Sequence, residues 1–346
     1  MVQRNANCRR LGTVYPKTGS RTLQRVPASR PFVASGLRIL SSRVVRIGFV
    51  VATVGLGALA VVSEWSEIQR DLARLRPAVL VFACLAAAAG MCASMALWRM
   101  LLADLGSPLP YRVAGRVLFV SQLGKYLPGS VWPVLAQMEL GRDHGVPRRR
   151  SATAFALLTL FNLATALLVA SATLPFVAAD EVRPFRWAFL LAIGLVALLH
   201  PRLLNPLLDR LLRLVKRPPL ERPLTLRRTL AAGLVGVGQW LLLGLHAWLL
   251  TVDLGGDPGA SLPLALGGFA LAWSVGYLFV FAPAGIGVRE VALAAALSPV
   301  LDRADAIVVA VVSRMLMTVA DLALAGLAVV GMRSRRRELD DSRTSR

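Results

Sequence analysis

Gly124-Lys125-Tyr126-Leu127-Pro128-Gly129-Ser130-Val131-Trp132 lies in the middle of a largely apolar stretch, 111–141. Proline removes a backbone donor and glycine tolerates open dihedrals, so the stretch reads helix, break, helix. In hydrocarbon the backbone groups freed at such a break find no partner, which confines the break to the protein interior or the wall of a wet cavity. A second stretch, 262–299, is interrupted in the same way at Pro283-Ala284-Gly285-Ile286-Gly287, and a shift of 155 positions lays Pro128 on Pro283 and 151–169 on 306–324. The two stretches predict a twofold repeat built around two broken hairpins, each either re-entrant or a pair of full helices.

The surrounding sequence is that of a membrane protein. Of 346 residues, 56% are hydrophobic and 17% charged, with a mean hydropathy of +0.61; soluble domains run near ~45–50% apolar and ~25% charged. Uncharged runs at 47–63, 78–97, 151–179, 229–252 and 258–288 approach or exceed the roughly 20 residues that span a bilayer core. A soluble enzyme is excluded. Helices are expected at 46–63, 77–102, 151–175, 185–200, 229–252 and 304–332, giving six full crossings beside the two hairpins. The fourth is the weakest, because Trp187 to Leu199 offers only 13 uncharged residues, about 20 Å of helix. Each half then makes three net crossings, an odd number, so the second half enters upside down relative to the first. The expected fold is an all-α polytopic protein of two inverted repeats: repeat 1 at 44–175, and repeat 2 at 176–332 with an amphipathic connector at 201–228. Basic tails at 1–43 and 333–346 flank them.

Charge placement sets the orientation. The net charge of +21, from 40 Lys+Arg against 19 Asp+Glu, would suggest nucleic acid in a soluble protein. With both termini cytoplasmic, however, 31 of those 40 cations fall on the inner side and only six outside: Arg70, Arg74, Arg76, Arg183, Arg186 and Arg303. Topology accounts for the basic character, and no nucleic-acid partner is expected. The arm 1–43 carries no acidic residue and reads as a disordered cytoplasmic tail rather than a transit peptide. The remaining cations, Lys125, Arg289 and Arg314, fall within membrane segments. A charge at that depth costs ~2.5–3.5 kcal/mol on insertion scales and requires partners or a wet cavity.

The residue inventory removes several chemistries. Cys84 and Cys92 lie eight apart on one helix, too far to bridge, and Cys8 is in the tail. His144, His200 and His246 share no ligand-like spacing, so neither a metal site nor a cofactor is expected. Gly285 and Gly287 lack the Gly-Lys-Ser/Thr continuation of a nucleotide loop.

Gly124-Lys125-Tyr126-Leu127-Pro128-Gly129-Ser130-Val131-Trp132, followed by Pro283-Ala-Gly-Ile-Gly-Val-Arg289-Glu290, resembles the transmembrane flippase-like region of lysylphosphatidylglycerol synthases and their stand-alone relatives. The similarity covers 44–332 and includes the His200-Pro201-Arg202 exit. It implies lipid translocation. Full synthases add a soluble domain that transfers lysine from charged transfer RNA, and only 14 residues follow Met332 here, so lipid synthesis is not expected. The sequence departs from the family pattern in the helix after the first hairpin: relatives carry an acidic residue there, and this chain has Thr159, Asn162 and Thr165. A proton-coupling role does not carry over to that helix.

The expected function is movement of a phospholipid or lipid-linked head group between leaflets of the plasma membrane, without enzymatic activity. Lys125, Arg289 and Arg314 would attract the phosphate, while Glu290 and Asp321 balance them or meet an amine. Pro128, Gly129, Pro283, Gly285 and Gly287 would maintain the breaks, and helix N-termini just after Gly129 and Gly287 would add free N–H groups. Tyr126, Gln137 and Glu139 complete the candidate set. Structural alternatives are snorkelling of Lys125 to the head groups, a local Arg289–Glu290 pair, and an interhelical role for Arg314 and Asp321, which share a helix face seven residues apart. The rival functions are a non-transporting partner of a separate synthase and a membrane glycosyltransferase whose carboxylates would be Asp180-Glu181 or Asp253 and Asp257. A homo-oligomer is a further possible partner arrangement.

Overall fold

The computed structural model describes residues 74–126, 131–174, 186–214, 223–278 and 287–344. All belong to the unit Arg46–Arg346, and no strand occurs among the described residues. The tail 1–43, the predicted span 46–63, the breakers Pro128, Gly129, Pro283 and Gly285, and the pair Asp180-Glu181 lie outside them.

The helices are α1 (Pro77–Asp104), α2 (Tyr111–Gln122), α3 (Trp132–Arg142), α4 (Arg148–Thr173), α5 (Arg186–Leu198), α6 (Pro201–Leu214), α7 (Leu226–Asp253), α8 (Pro258–Leu278), α9 (Val288–Leu297) and α10 (Arg303–Thr344). A 3₁₀ turn, Leu123–Tyr126, follows α2. The two predicted breaks fall between separate described helices, α2 and α3, and α8 and α9, while 127–130 and 279–286 lie outside the described residues. The arms of the two hairpins differ in length. With 12 and 11 residues, α2 and α3 reach about 16–18 Å each, half a bilayer, whereas α8 with 21 residues is long enough to cross alone. Among the described residues α1, α4, α7, α8 and the Arg303–Gly331 part of α10 are long and apolar enough to span. The fourth predicted crossing is not a straight span. Its helix α5 has 13 residues and the chain bends by 77° into α6, with Pro201 starting the new helix at a position where no backbone donor is missed.

The first half of α1 buries small residues and turns large apolar ones outward. In α1, Ala83, Ala87 and Gly90 face the core, while Val81, Phe82 and Leu85 are more than half exposed. In lipid this is the stable arrangement, since bulky apolar groups lose nothing there and small ones let backbones approach. Gly90 exploits it: an added Cβ would stand 2.7 Å from the Leu243 side chain of α7.

The contact between α1 and α7 is the most extensive in the bundle. Arg76, at the start of α1, binds Asp253 at the end of α7, and Arg228, near the start of α7, binds Asp104 at the end of α1 at 2.9 Å. The two helices, each 28 residues long, are therefore antiparallel. Other contacts occur as matched pairs when α1, α2, α3 and α4 are exchanged with α7, α8, α9 and α10. Helix α1 packs on α10 as α7 does on α4, α2 on α10 as α8 on α4, and α3 on α4 as α9 on α10.

The connector forms α6, whose Leu204 and Leu208 pack into the core beside Leu199 and Leu224. Asn205 fastens it, donating to the Leu224 carbonyl and accepting from the Leu224 N–H, both at 3.0 Å. Leu203 on the opposite side is exposed, as an interfacial helix requires.

Candidate functional site

The first break delivers Lys125 and Tyr126 to the last helix. Lys125 Nζ lies 2.5 Å from Asp321 Oδ2, and the Tyr126 hydroxyl donates to the same oxygen at 2.7 Å. Asp321 retains 8% side-chain exposure and Lys125 33%, so the pair is shielded on the acid's side and open on the lysine's. Lys125 reaches across to α10, where the sequence left open that it snorkels to head groups.

The second break delivers Arg289 and Glu290 to the same helix. Glu290 bonds to Arg314 and also accepts from the Gly287 N–H at 2.6 Å, capping α9 with its own carboxylate. Gly287 has φ of 83°, a conformation costly for any residue with a Cβ. Of the N–H groups expected to be free at this helix start, Glu290 takes that of Gly287. At the other start, Pro133 contributes no N–H at all. Arg314 and Asp321 share a face of α10 but bind different hairpins, and Thr318 between them returns its hydroxyl to the Arg314 carbonyl at 3.0 Å.

Arg289 stands apart from its neighbour Glu290. Its guanidinium lies 4.6 Å from the centre of the Phe269 ring on α8, within electrostatic reach of Arg314, Glu290, Tyr126 and Asp321. Its Nη2 is buried without a hydrogen-bond partner among the described residues. The other edge of Phe269 meets His246, ring centres 4.7 Å apart and perpendicular. The His246 Nε2 contacts the Ser313 hydroxyl of α10 at 2.8 Å and Nδ1 contacts the Leu243 carbonyl. Nδ1–H donating and Nε2 accepting satisfy both as a neutral imidazole. Sequence reasoning missed Phe269 and His246. Their signal was the aromatic row Phe269, Trp273 and Tyr277 at successive fourth positions of α8, whose Trp273 and Tyr277 rings stack 5.0 Å apart.

Gln137 and Glu139 are placed elsewhere. Gln137 is fully buried, its amide accepting from Trp98 Nε1 at 3.0 Å and donating to the Ser151 carbonyl at 3.2 Å, which ties α3 to α1 and α4. Glu139 holds Arg142 at 2.9 Å and Arg148 at 2.8 Å across the α3–α4 turn. These partners are distinct from the residues around Asp321. On α4, the Trp240 indole of α7 donates to the Asn162 backbone carbonyl and the Thr165 hydroxyl, each at 3.1 Å, while Asn162 Oδ1 is buried without a hydrogen-bond partner among the described residues. Thr159 meets the Tyr277 hydroxyl at 3.2 Å.

Beside the α3–α4 turn, a cavity of about 260 Å³ is lined by Arg116, Val117, Leu140, Asp143 and His144. Burial, and after it the nearby Arg116 charge, hold the His144 imidazole below its ordinary range, with Asp143 opposing. Of the carboxylates considered for catalysis, Asp253 and Asp257 have structural partners. Asp253 accepts from the Arg76 N–H at 2.8 Å as well as from its guanidinium, capping α1, and Asp257 accepts from the Ala260 N–H at 2.8 Å at the start of α8.

The chain is thus a multi-pass membrane protein with a charged cluster where two broken hairpins meet α10. No curated protein matches it. The family model described as the lysylphosphatidylglycerol synthase TM region matches residues 44–325, taking in every residue of the cluster. The chain belongs to the lysylphosphatidylglycerol synthase transmembrane-region family.

Proposed function

We propose that this protein moves the head group of a phosphate-bearing lipid between leaflets of the plasma membrane, with both termini cytoplasmic and without chemistry on the lipid. The observation carrying this reading is the convergence of Lys125, Tyr126 and Glu290, from two separate breaks, on Arg314 and Asp321 of one spanning helix, with Arg289 seated on Phe269. Five ionisable charges cost too much at that depth to serve packing alone. A head group crossing hydrocarbon loses its hydration, and prepaid cations with mobile carboxylate partners replace that hydration while the tails remain in lipid.

The two halves act as opposed repeats, and the antiparallel α1–α7 pair with matched contacts on either side supports this. In such a layout the broken segments meet between the leaflets, and rocking of one half against the other exposes the cluster to each side in turn.

The test is reconstitution of the purified protein in vesicles, with transfer of fluorescent phospholipids between leaflets read by quenching of the outer pool. Wild type should exceed protein-free vesicles, and Lys125→Ala and Arg289→Ala should each lower the rate at least about tenfold while remaining folded. A wild type indistinguishable from empty vesicles across several head groups overturns the proposal and favours a non-transporting partner of a separate synthase.

A further inference from the structure

The cluster has a definite charge tally. Lys125 is neutralised by Asp321 and Arg314 by Glu290, which leaves Arg289, among the described residues of the cluster, as the cation without an acidic partner of its own. His246, bonded as a neutral ring, adds nothing, and Tyr126 is a donor to Asp321. The stretches 127–130 and 279–286, which adjoin these residues in the sequence and lie outside the described residues, contain no acidic or basic residue. Arg289 is held in place from one side by Phe269 and keeps a buried Nη2 with no hydrogen-bond partner among the described residues. A planar guanidinium with an unused donor matches an acceptor carrying two equivalent oxygens.

We infer that the site selects a lipid whose head group is a phosphodiester with one negative charge and no amine. This rests on the translocation reading above and narrows its substrate. One anionic phosphodiester brings the buried assembly to neutrality and supplies the oxygen that Arg289 Nη2 lacks. A phosphomonoester approaching two negative charges over-neutralises the cluster in a medium of low dielectric. A zwitterionic head group brings an additional ammonium when both carboxylates are already engaged, so it must break the Lys125–Asp321 or the Arg314–Glu290 pair to be accommodated.

The experiment compares three lipids with the same fluorescent acyl chain in vesicles holding the full-length protein: phosphatidylglycerol, phosphatidylcholine and phosphatidic acid. Phosphatidylglycerol should cross at least about five times faster than the other two. Arg289→Gln should abolish that preference and Arg289→Lys should retain part of it. Glu290→Gln, which keeps an oxygen for the Gly287 N–H while adding one net positive charge, should shift the preference toward phosphatidic acid. Equal rates for all three lipids in wild type, or a faster zwitterion, overturn this inference and leave translocation standing. No lipid moving faster than in protein-free vesicles overturns the translocation reading itself. The wild-type comparison decides the matter even where a variant fails to fold.

Discussion

Asp321 holds both Lys125 and Tyr126 of the first hairpin. Asp321→Asn removes the countercharge but leaves the lysine in place. It should lower unfolding stability by about 2 kcal/mol, less than the ~3–5 kcal/mol of a fully buried pair because a third of the Lys125 side chain remains accessible. Thermal or denaturant unfolding in detergent measures this, and the double change Lys125→Met with Asp321→Leu should recover most of the loss. Asp253 makes the opposite case. It caps α1 and binds Arg76 outside the cluster, so Asp253→Ala should cost about 1–2 kcal/mol of stability with lipid transfer retained. Loss of transfer in a folded Asp253→Ala protein would favour chemistry at the outer surface instead.

Helices in this bundle are held together by close approach rather than by a hydrophobic drive, since lipid is as apolar as leucine. Glycines on one helix, α7, therefore differ sharply in what they tolerate. At Gly244 an added Cβ would stand 2.6 Å from the Leu266 backbone of α8, whereas at Gly238 it would meet nothing within 4 Å. Gly244→Ala should destabilise by about 1–3 kcal/mol through overpacking against backbone. Gly238→Ala should be neutral or stabilising by up to about 1 kcal/mol through helix propensity. Paired unfolding curves check the contrast, and equal effects at the two sites would refute the α7–α8 packing described. At the same scale, capping of Gly287 by Glu290 explains how a 10-residue helix following a break retains an ordered start beside the cluster.

For the molecule as a whole, the prediction concerns sidedness. Arg149 is exposed in the first turn of α4, and Arg303 is exposed at the start of α10. In a background with Cys8, Cys84 and Cys92 replaced, a single cysteine at Arg149→Cys should react with an impermeant thiol reagent only from the cytoplasmic side. Arg303→Cys should react only from the outside. Labelling of both from one side would overturn the opposed arrangement of the two halves. The reciprocal ion pairs at the two ends of α1 and α7 bear on the same layout: each joins a helix start to the end of its counterpart, which an antiparallel pair alone allows.

Membrane insertion, the spanning helices among the described residues apart from the short α5, and the separation of α2 from α3 and of α8 from α9 were legible in the sequence because each depends on a local property: run length without charge, and the positions of proline and glycine. The three cations at depth were legible for the same reason, as a charge in an apolar run is conspicuous wherever its partner lies. The partners were not. Lys125 is 196 residues from Asp321, and Arg314 chooses Glu290 over the acid on its own helix, selections made by how α10 packs between two hairpins. Gln137 and Glu139 looked like site residues because they follow a break, yet packing turned Gln137 to Trp98 and Ser151, and Glu139 to Arg142 and Arg148. The seat of Arg289 on Phe269 was equally beyond sequence, because periodicity assigns a residue to a face and only tertiary packing decides which side chain that face meets.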